Sequence, residues 1–274
     1  MKKNSLLLAT CYLLLTTHYL LLSSCSVNKA KIDNSLKKYF DENKVDGCFA
    51  MLNNANGDIT VYNMELDTQR FSPVNTFQVV DALIGLQSGA ITNDTMLVKW
   101  TGIKTDTAMV NGIDMKWSFK TNAHPYFQEI AKRIGKDTMQ HWIDSLGYGN
   151  KNISGPIDSF WLNNTLKISP DEQLGLMKRL YFDQLPFRKS TQQMVRDAIL
   201  QEDNTMYKLS YSYAWGKDEN GHGISWVTGW IEENKHVYFF VTFIKMPDDN
   251  MNTDMGITIS KSILKQFGFF EGKK

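Results

Sequence analysis

The stretch Tyr148-Gly149-Asn150-Lys151-Asn152-Ile153-Ser154-Gly155-Pro156-Ile157-Asp158-Ser159-Phe160-Trp161-Leu162 lies inside a region, from about residue 76 to about residue 182, where helix signals dominate. Just before it, Asp137-Thr138-Met139-Gln140 reads as a capping box, followed by the apolar Trp142, Ile143 and Leu146. Just after it, Ser169-Pro170-Asp171-Glu172 reads as a stronger box, with Pro at the first helical position. Ser190-Thr191-Gln192-Gln193 opens a further helix to about Gln201. Outside this region the pattern changes to strands. Cys48 to Asn53 and Asp58 to Tyr62 form a hairpin around Asn54-Ala55-Asn56-Gly57, which supplies the positive φ that such a turn needs. Tyr207 to Trp215, Ser225 to Glu232 and His236 to Lys245 are three more strands, the last two joined by Glu233-Asn234-Lys235. A short helix opens at Asn34-Ser35 and a final one runs from about Asp254 to Phe267. Hairpins pair antiparallel, so the order predicts an α+β fold: an antiparallel sheet flanked by helices, with a helical lobe inserted.

Composition narrows the class. The chain has 274 residues, 30 Lys and Arg against 29 Asp and Glu, and a formal net charge of +1. A dedicated nucleic-acid binder needs a basic surplus to meet phosphates, and none is present. The 15 Phe, 11 Tyr and 7 Trp exclude a disordered chain. At this length a fold buries roughly three-quarters of the surface of the unfolded chain, so neither disulfides nor metals are needed to hold it. The His residues show no metal-ligand spacing, and no cofactor is expected.

The N-terminus reads as an address. Lys2 and Lys3 precede an uncharged apolar run from Leu6 to Leu22. Leu22-Ser23-Ser24-Cys25 resembles a bacterial lipobox, which implies cleavage before Cys25 and lipid on its thiol. Residues 1–24 are then a lipoprotein signal, 25–34 a polar tether and 35–274 the domain. The expected location is the bacterial cell envelope, lipid-anchored on the periplasmic or cell-surface side. Cys48 is left as one thiol in a strand, expected to be a buried, inert core residue.

The Tyr148-to-Leu162 string resembles the Tyr-Gly-Asn region of the class D β-lactamases, and the resemblance extends over nearly the whole mature chain. Phe71-Ser72-Pro73-Val74-Asn75-Thr76-Phe77-Gln78 stands where that family has its active-site Ser-x-x-Lys. Pro125 to Ala131 resembles the segment after its Ser-x-Val, and Gly229-Trp230-Ile231-Glu232 with Val237 to Phe240 the hairpin after its Lys-Thr-Gly strand. The family fold is a three-layer α/β/α sandwich with a mainly helical lobe. Its activity is β-lactam hydrolysis by a Ser nucleophile, with a Lys one turn later as base.

At the catalytic positions the chain departs from that pattern. Asn75 takes the place of the Ser and Gln78 that of the Lys. Asn122-Ala123-His124 takes the place of Ser-x-Val, and Ser212-Tyr213-Ala214, followed by Trp215, that of Lys-Thr-Gly. An Asn amide is no acyl-transfer nucleophile at neutral pH, and a Gln amide has no pKa for work as a base. Asn75-Thr76-Phe77-Gln78 also fits a capping box, with Phe77, Val80, Leu83 and Ile84 facing the core. Ser35-x-x-Lys38 and Ser262-x-x-Lys265 match Ser-x-x-Lys literally, but the first lies next to the tether and the second on the last helix, and neither precedes the helix that follows the motif in the family. Tyr213 is expected to add bulk to a degenerate pocket that also holds Thr76, Tyr148, Gly149, Asn150 and Trp161. The reading is a pseudoenzyme with a binding or scaffolding role, its partner a peptidoglycan peptide, a β-lactam or an envelope protein. The rivals are a divergent enzyme with another nucleophile and a non-covalent β-lactam sensor.

Overall fold

The computed structural model describes residues 30–99, 112–246 and 252–274. The signal segment, Cys25 and Asp248-Asp249-Asn250, which reads as a turn after Pro247, lie outside the described residues. The described strands are β1 (Ala30–Ile32), β2 (Asp46–Asn53), β3 (Ile59–Tyr62), β4 (Leu200–Asp203), β5 (Lys208–Lys217), β6 (Gly223–Glu233) and β7 (His236–Met246). The helices are α1 (Lys37–Glu42), α2 (Met64–Thr68), α3 (Gln78–Ser88), α4 (Met115–Thr121), α5 (His124–Ile134), α6 (Lys136–Leu146), α7 (Pro170–Tyr181), α8 (Lys189–Ala198) and α9 (Met255–Gln266).

The seven-stranded sheet has the order β1-β3-β2-β7-β6-β5-β4. Every pairing is antiparallel except β1 with β3, which is parallel. The sheet is therefore mixed, and the last part of the expected tether belongs to it as an edge strand. Both expected hairpins form. Gly57 takes φ 75° in the first. In the second, Glu233 pairs with His236 across Asn234 and Lys235, which adopt φ 47° and 68°.

Alternation along the strands gives the sheet two buried faces. Cys48, Ala50, Trp226, Trp230, Phe239, Val241 and Phe243 face the helical lobe. Phe49, Met51, Tyr211, Val227, Ile231, Phe240 and Ile244 face the layer of α1 and α9, where Leu36, Phe40, Ile259, Ile263 and Leu264 meet them. Three layers result. Cys48 is fully buried and burial pushes its thiol up, as a core residue requires.

Two helix starts differ from expectation. Gly135 precedes α6 with no side-chain cap, because Lys136 already lies in the helix and puts Asp137 in its first turn; Gln140 bonds Asp144 and the Lys151 carbonyl instead. Helix α8 starts at Lys189, so Ser190 is inside it, and it stops at Ala198 where β4 begins. The box at Ser169 forms: its backbone N–H donates to Glu172 Oε2 at 3.0 Å.

Candidate functional site

The segment before α3 folds as a tight 3-10 turn over Val74–Phe77 rather than a capped α-helix start. Ser72 Oγ accepts from the Val74 N–H at 3.4 Å and donates to the Trp161 carbonyl at 2.9 Å. Thr76 Oγ donates to the Pro73 carbonyl at 2.7 Å. The Gln78 N–H is taken by the carbonyls of Asn75 and Thr76. The turn thus satisfies its own backbone groups, and the capping role expected of Asn75 and Gln78 is not used. Val74 holds φ 41°, a strained value for a β-branched residue. Its side chain is seated against β5 where Gly216 has no Cβ; one added there would lie 2.5 Å from Val74 Cγ1.

Released from capping, the Asn75 side chain turns toward α4 and α5. Its surface is 0% exposed. Asn75 Nδ2 donates to Asn122 Oδ1 at 3.1 Å and lies 2.5 Å from His124 Nε2. Asn122 ends α4 at φ 51°, a left-handed position that Asn tolerates, and this turn places its side chain beside Asn75. Burial lowers the pKa of His124, so at neutral pH its ring can accept the amide hydrogen. Trp215 packs edge-on against the His124 ring at 6.3 Å.

The floor is aromatic. Phe77 stacks on Trp161 at 5.3 Å and meets Tyr148 edge-on at 5.7 Å. Gln173 Nε2 donates to Thr76 Oγ at 2.7 Å and to the Tyr148 hydroxyl at 3.4 Å. Gly149 has φ 50°, and a Cβ there would sit 1.9 Å from the Lys167 carbonyl oxygen. Asn150 clamps the same residue: its N–H donates to that carbonyl and its Oδ1 accepts the Lys167 N–H, at 2.9 and 3.0 Å. Gly149 and Asn150 therefore fix the backbone below the site and do not line it.

The third motif position divides between two faces. Ser212 and Ala214 stand opposite Thr228 and Trp226 on the lobe side of β5. Tyr213 points to the other face and packs with Tyr211 in the α9 layer, so the bulk expected in the pocket is absent from it. Strand alternation is the cause. Ala123 is buried between α4 and α5. Ser262 and Lys265 lie on α9, beyond the opposite face of the sheet.

Beside this group lie buried polar atoms without a partner among the described residues: Asn75 Oδ1, Gln78 Nε2, Asn122 Nδ2, both Asp81 carboxylate oxygens and the Tyr126 hydroxyl. Asp81 belongs to none of the family's motifs. Its signal was an acid in the first turn of an otherwise apolar helix. Burial drives its carboxyl well above the usual range and keeps it protonated. The assembled site thus offers amides, a neutral imidazole and a neutral carboxyl. It can exchange hydrogen bonds, and it holds no hydroxyl or amine at Asn75 or Gln78 to attack a carbonyl.

The penicillin binding protein transpeptidase domain matches residues 42–267. The chain is 34% identical over 244 residues to a probable β-lactamase, YbxI, of Bacillus subtilis, covering 89% of this chain and 86% of that one. The class D β-lactamase FUS-1 of Fusobacterium nucleatum superposes with a TM-score of 0.81 at 27% identity, over 86% of this chain and 98% of its own. The C-terminal domain of the Bacillus licheniformis BlaR penicillin-receptor also gives 0.81, at 28% identity, over 88% and 97%. With the Tyr148-to-Leu162 string and the three-layer fold in agreement, the chain belongs to the class D β-lactamase family of penicillin-binding, transpeptidase-like domains.

Proposed function

We propose that this chain is a non-acylating member of its family, lipid-anchored at Cys25, whose role in the bacterial cell envelope is binding or scaffolding. The observation that carries the reading is Asn75: a fully buried amide engaged with Asn122 and His124, at the position that the sequence resemblance assigns to the family's nucleophile. In a serine protease, removing the nucleophile or its base alone lowers kcat by about 10⁶. Here both positions hold amides, and the cation of the third motif is replaced by Ser212. The partner would be a peptidoglycan peptide, a β-lactam or an envelope protein, and none of these needs a covalent step.

The test is incubation with a fluorescent penicillin followed by intact-mass measurement. The expected result is an unchanged mass and no turnover of chromogenic cephalosporins. A stoichiometric mass gain that needs the folded protein overturns the proposal. Similarity to a penicillin-receptor domain favours a second reading, a β-lactam receptor that binds without acylation. Saturable retention of penicillin in equilibrium dialysis, with no mass gain, selects that reading over scaffolding.

A further inference from the structure

Helices α7 and α8 and strands β4 to β6 surround an open cavity of about 400 Å³ that shares no lining residue with the Asn75 group. This size suits a small ligand. Two of its walls are aromatic: Trp230 is 2% exposed, and Tyr181 meets it edge-on at 5.5 Å.

Charge decides what fits. Two cations line the cavity, and both are engaged elsewhere. Arg196 donates to Asp183 Oδ1 at 2.6 Å, to the Leu180 carbonyl at 2.7 Å and to Gln193 Oε1 at 2.5 Å. Lys208 stands opposite Glu232 in the strand register, yet its Nζ is on Asp203 Oδ2 at 3.0 Å. The acids have no cation in direct contact, although the Lys208 ammonium lies near enough to Glu232 to feel its charge. Glu232 accepts the Tyr181 hydroxyl at 3.1 Å and Asp197 the Gln193 amide at 2.7 Å. Among the described residues neither acid forms an ion pair. The Tyr181 hydroxyl is pushed up to about 12, first by burial and then by the Glu232 carboxylate.

We propose that this cavity binds a primary alkylammonium group, with the cation held by Glu232 and Asp197 and its methylene chain laid against Trp230 and Tyr181. A carboxylate gives a charge-assisted hydrogen bond to the ammonium, and an aromatic face attracts the same cation. The methylenes lose water against the rings. A free amine and a lysine-type side chain of a peptide share this chemistry.

Isothermal titration calorimetry of the whole protein with cadaverine, Nα-acetyl-lysine methylamide and 1,5-pentanediol tests the assignment. Saturable binding of an amine, no binding of the diol, and a Kd raised about tenfold or more by Glu232→Gln are expected. Asp197→Asn, on the exposed face of α8, supplies a second variant in case the first perturbs the fold, and circular dichroism checks both. Tighter binding of the lysine derivative assigns the site to peptides, and tighter binding of cadaverine to small amines. Equal affinity for the diol, unchanged affinity in both variants, no saturable binding of either amine at millimolar concentration, or binding of inorganic phosphate in preference to the amines overturns the proposal.

Discussion

A buried primary amide can give two hydrogen bonds and accept two. Asn75 Nδ2 has Asn122 and His124, while Asn75 Oδ1 and Gln78 Nε2 have no partner among the described residues. Substitutions here therefore act through burial of polar atoms and not through helix capping. Gln78→Lys puts an ammonium at a position 2% exposed, and it should destabilise the fold by roughly 3 kcal/mol, measured by urea denaturation. A neutral or stabilising effect would mean that the site has kept its preference for a cation. Asn75→Ser should be far milder, since a hydroxyl is smaller and still polar. The double variant should acylate slowly at most, with kcat/KM for a chromogenic cephalosporin well below the usual 10⁴ to 10⁸ M⁻¹s⁻¹ of about any efficient enzyme. Asn122 cannot shuttle a proton as a hydroxyl does, and Ser212 brings no charge to a substrate carboxylate. The identities of Asn75, Gln78 and Ser212 were legible in the sequence. The directions of their side chains were not, because a 3-10 turn and a capped α-helix start are written with the same residues.

Ser169 gives the contrasting case at the level of an element. Its box closes around Glu172, and Pro170 pre-sets the first helical φ. Ser169→Ala should lower stability by about 1 kcal/mol, whereas Asp137→Ala should be near neutral because Asp137 caps nothing. Thermal unfolding of the two variants side by side checks the difference. The strands of both hairpins were readable because alternation and turn residues agree. Strand β4, Leu200-Gln201-Glu202-Asp203, was not, since it holds one apolar residue and no β-branched one. It exists because it pairs with Lys208–Ser210 across a short connection, a partnership its own polar composition does not announce. The same holds for β1, whose three exposed residues pair with β3.

For the whole molecule, three buried groups set the pH range of stability. Burial, helped by the nearby Asp171 carboxylate, raises Asp67 to about 7, and burial alone raises Asp81 well above its ordinary value. The folded state then binds more protons than the unfolded one, so their contribution is complete below about pH 4 and lost as pH rises through about 7 and beyond. His124 works the other way: its lowered pKa makes its contribution present above about 6.5 and lost as pH falls. Asp67→Asn should therefore gain on the wild type between pH 5 and pH 8, by at most about 3 kcal/mol, in urea denaturation at both pH values. Cys25→Ala should move the protein from the membrane fraction to the soluble one, read by fractionation and immunoblotting. Strand β7 lies between β2 and β6, so the sheet joins an early hairpin to the last strand of the chain. During synthesis β2 and β3 therefore leave the ribosome long before β7 exists. Until Met246 has emerged, the nascent chain carries the open edge of β2 with Cys48, Ala50 and Leu52 on one side and Phe49 and Met51 on the other. Pairing at such long sequence separation is slow, and an uncovered apolar edge invites other chains. Whatever shields that edge while the last strands arrive decides how much of the newly made chain escapes aggregation.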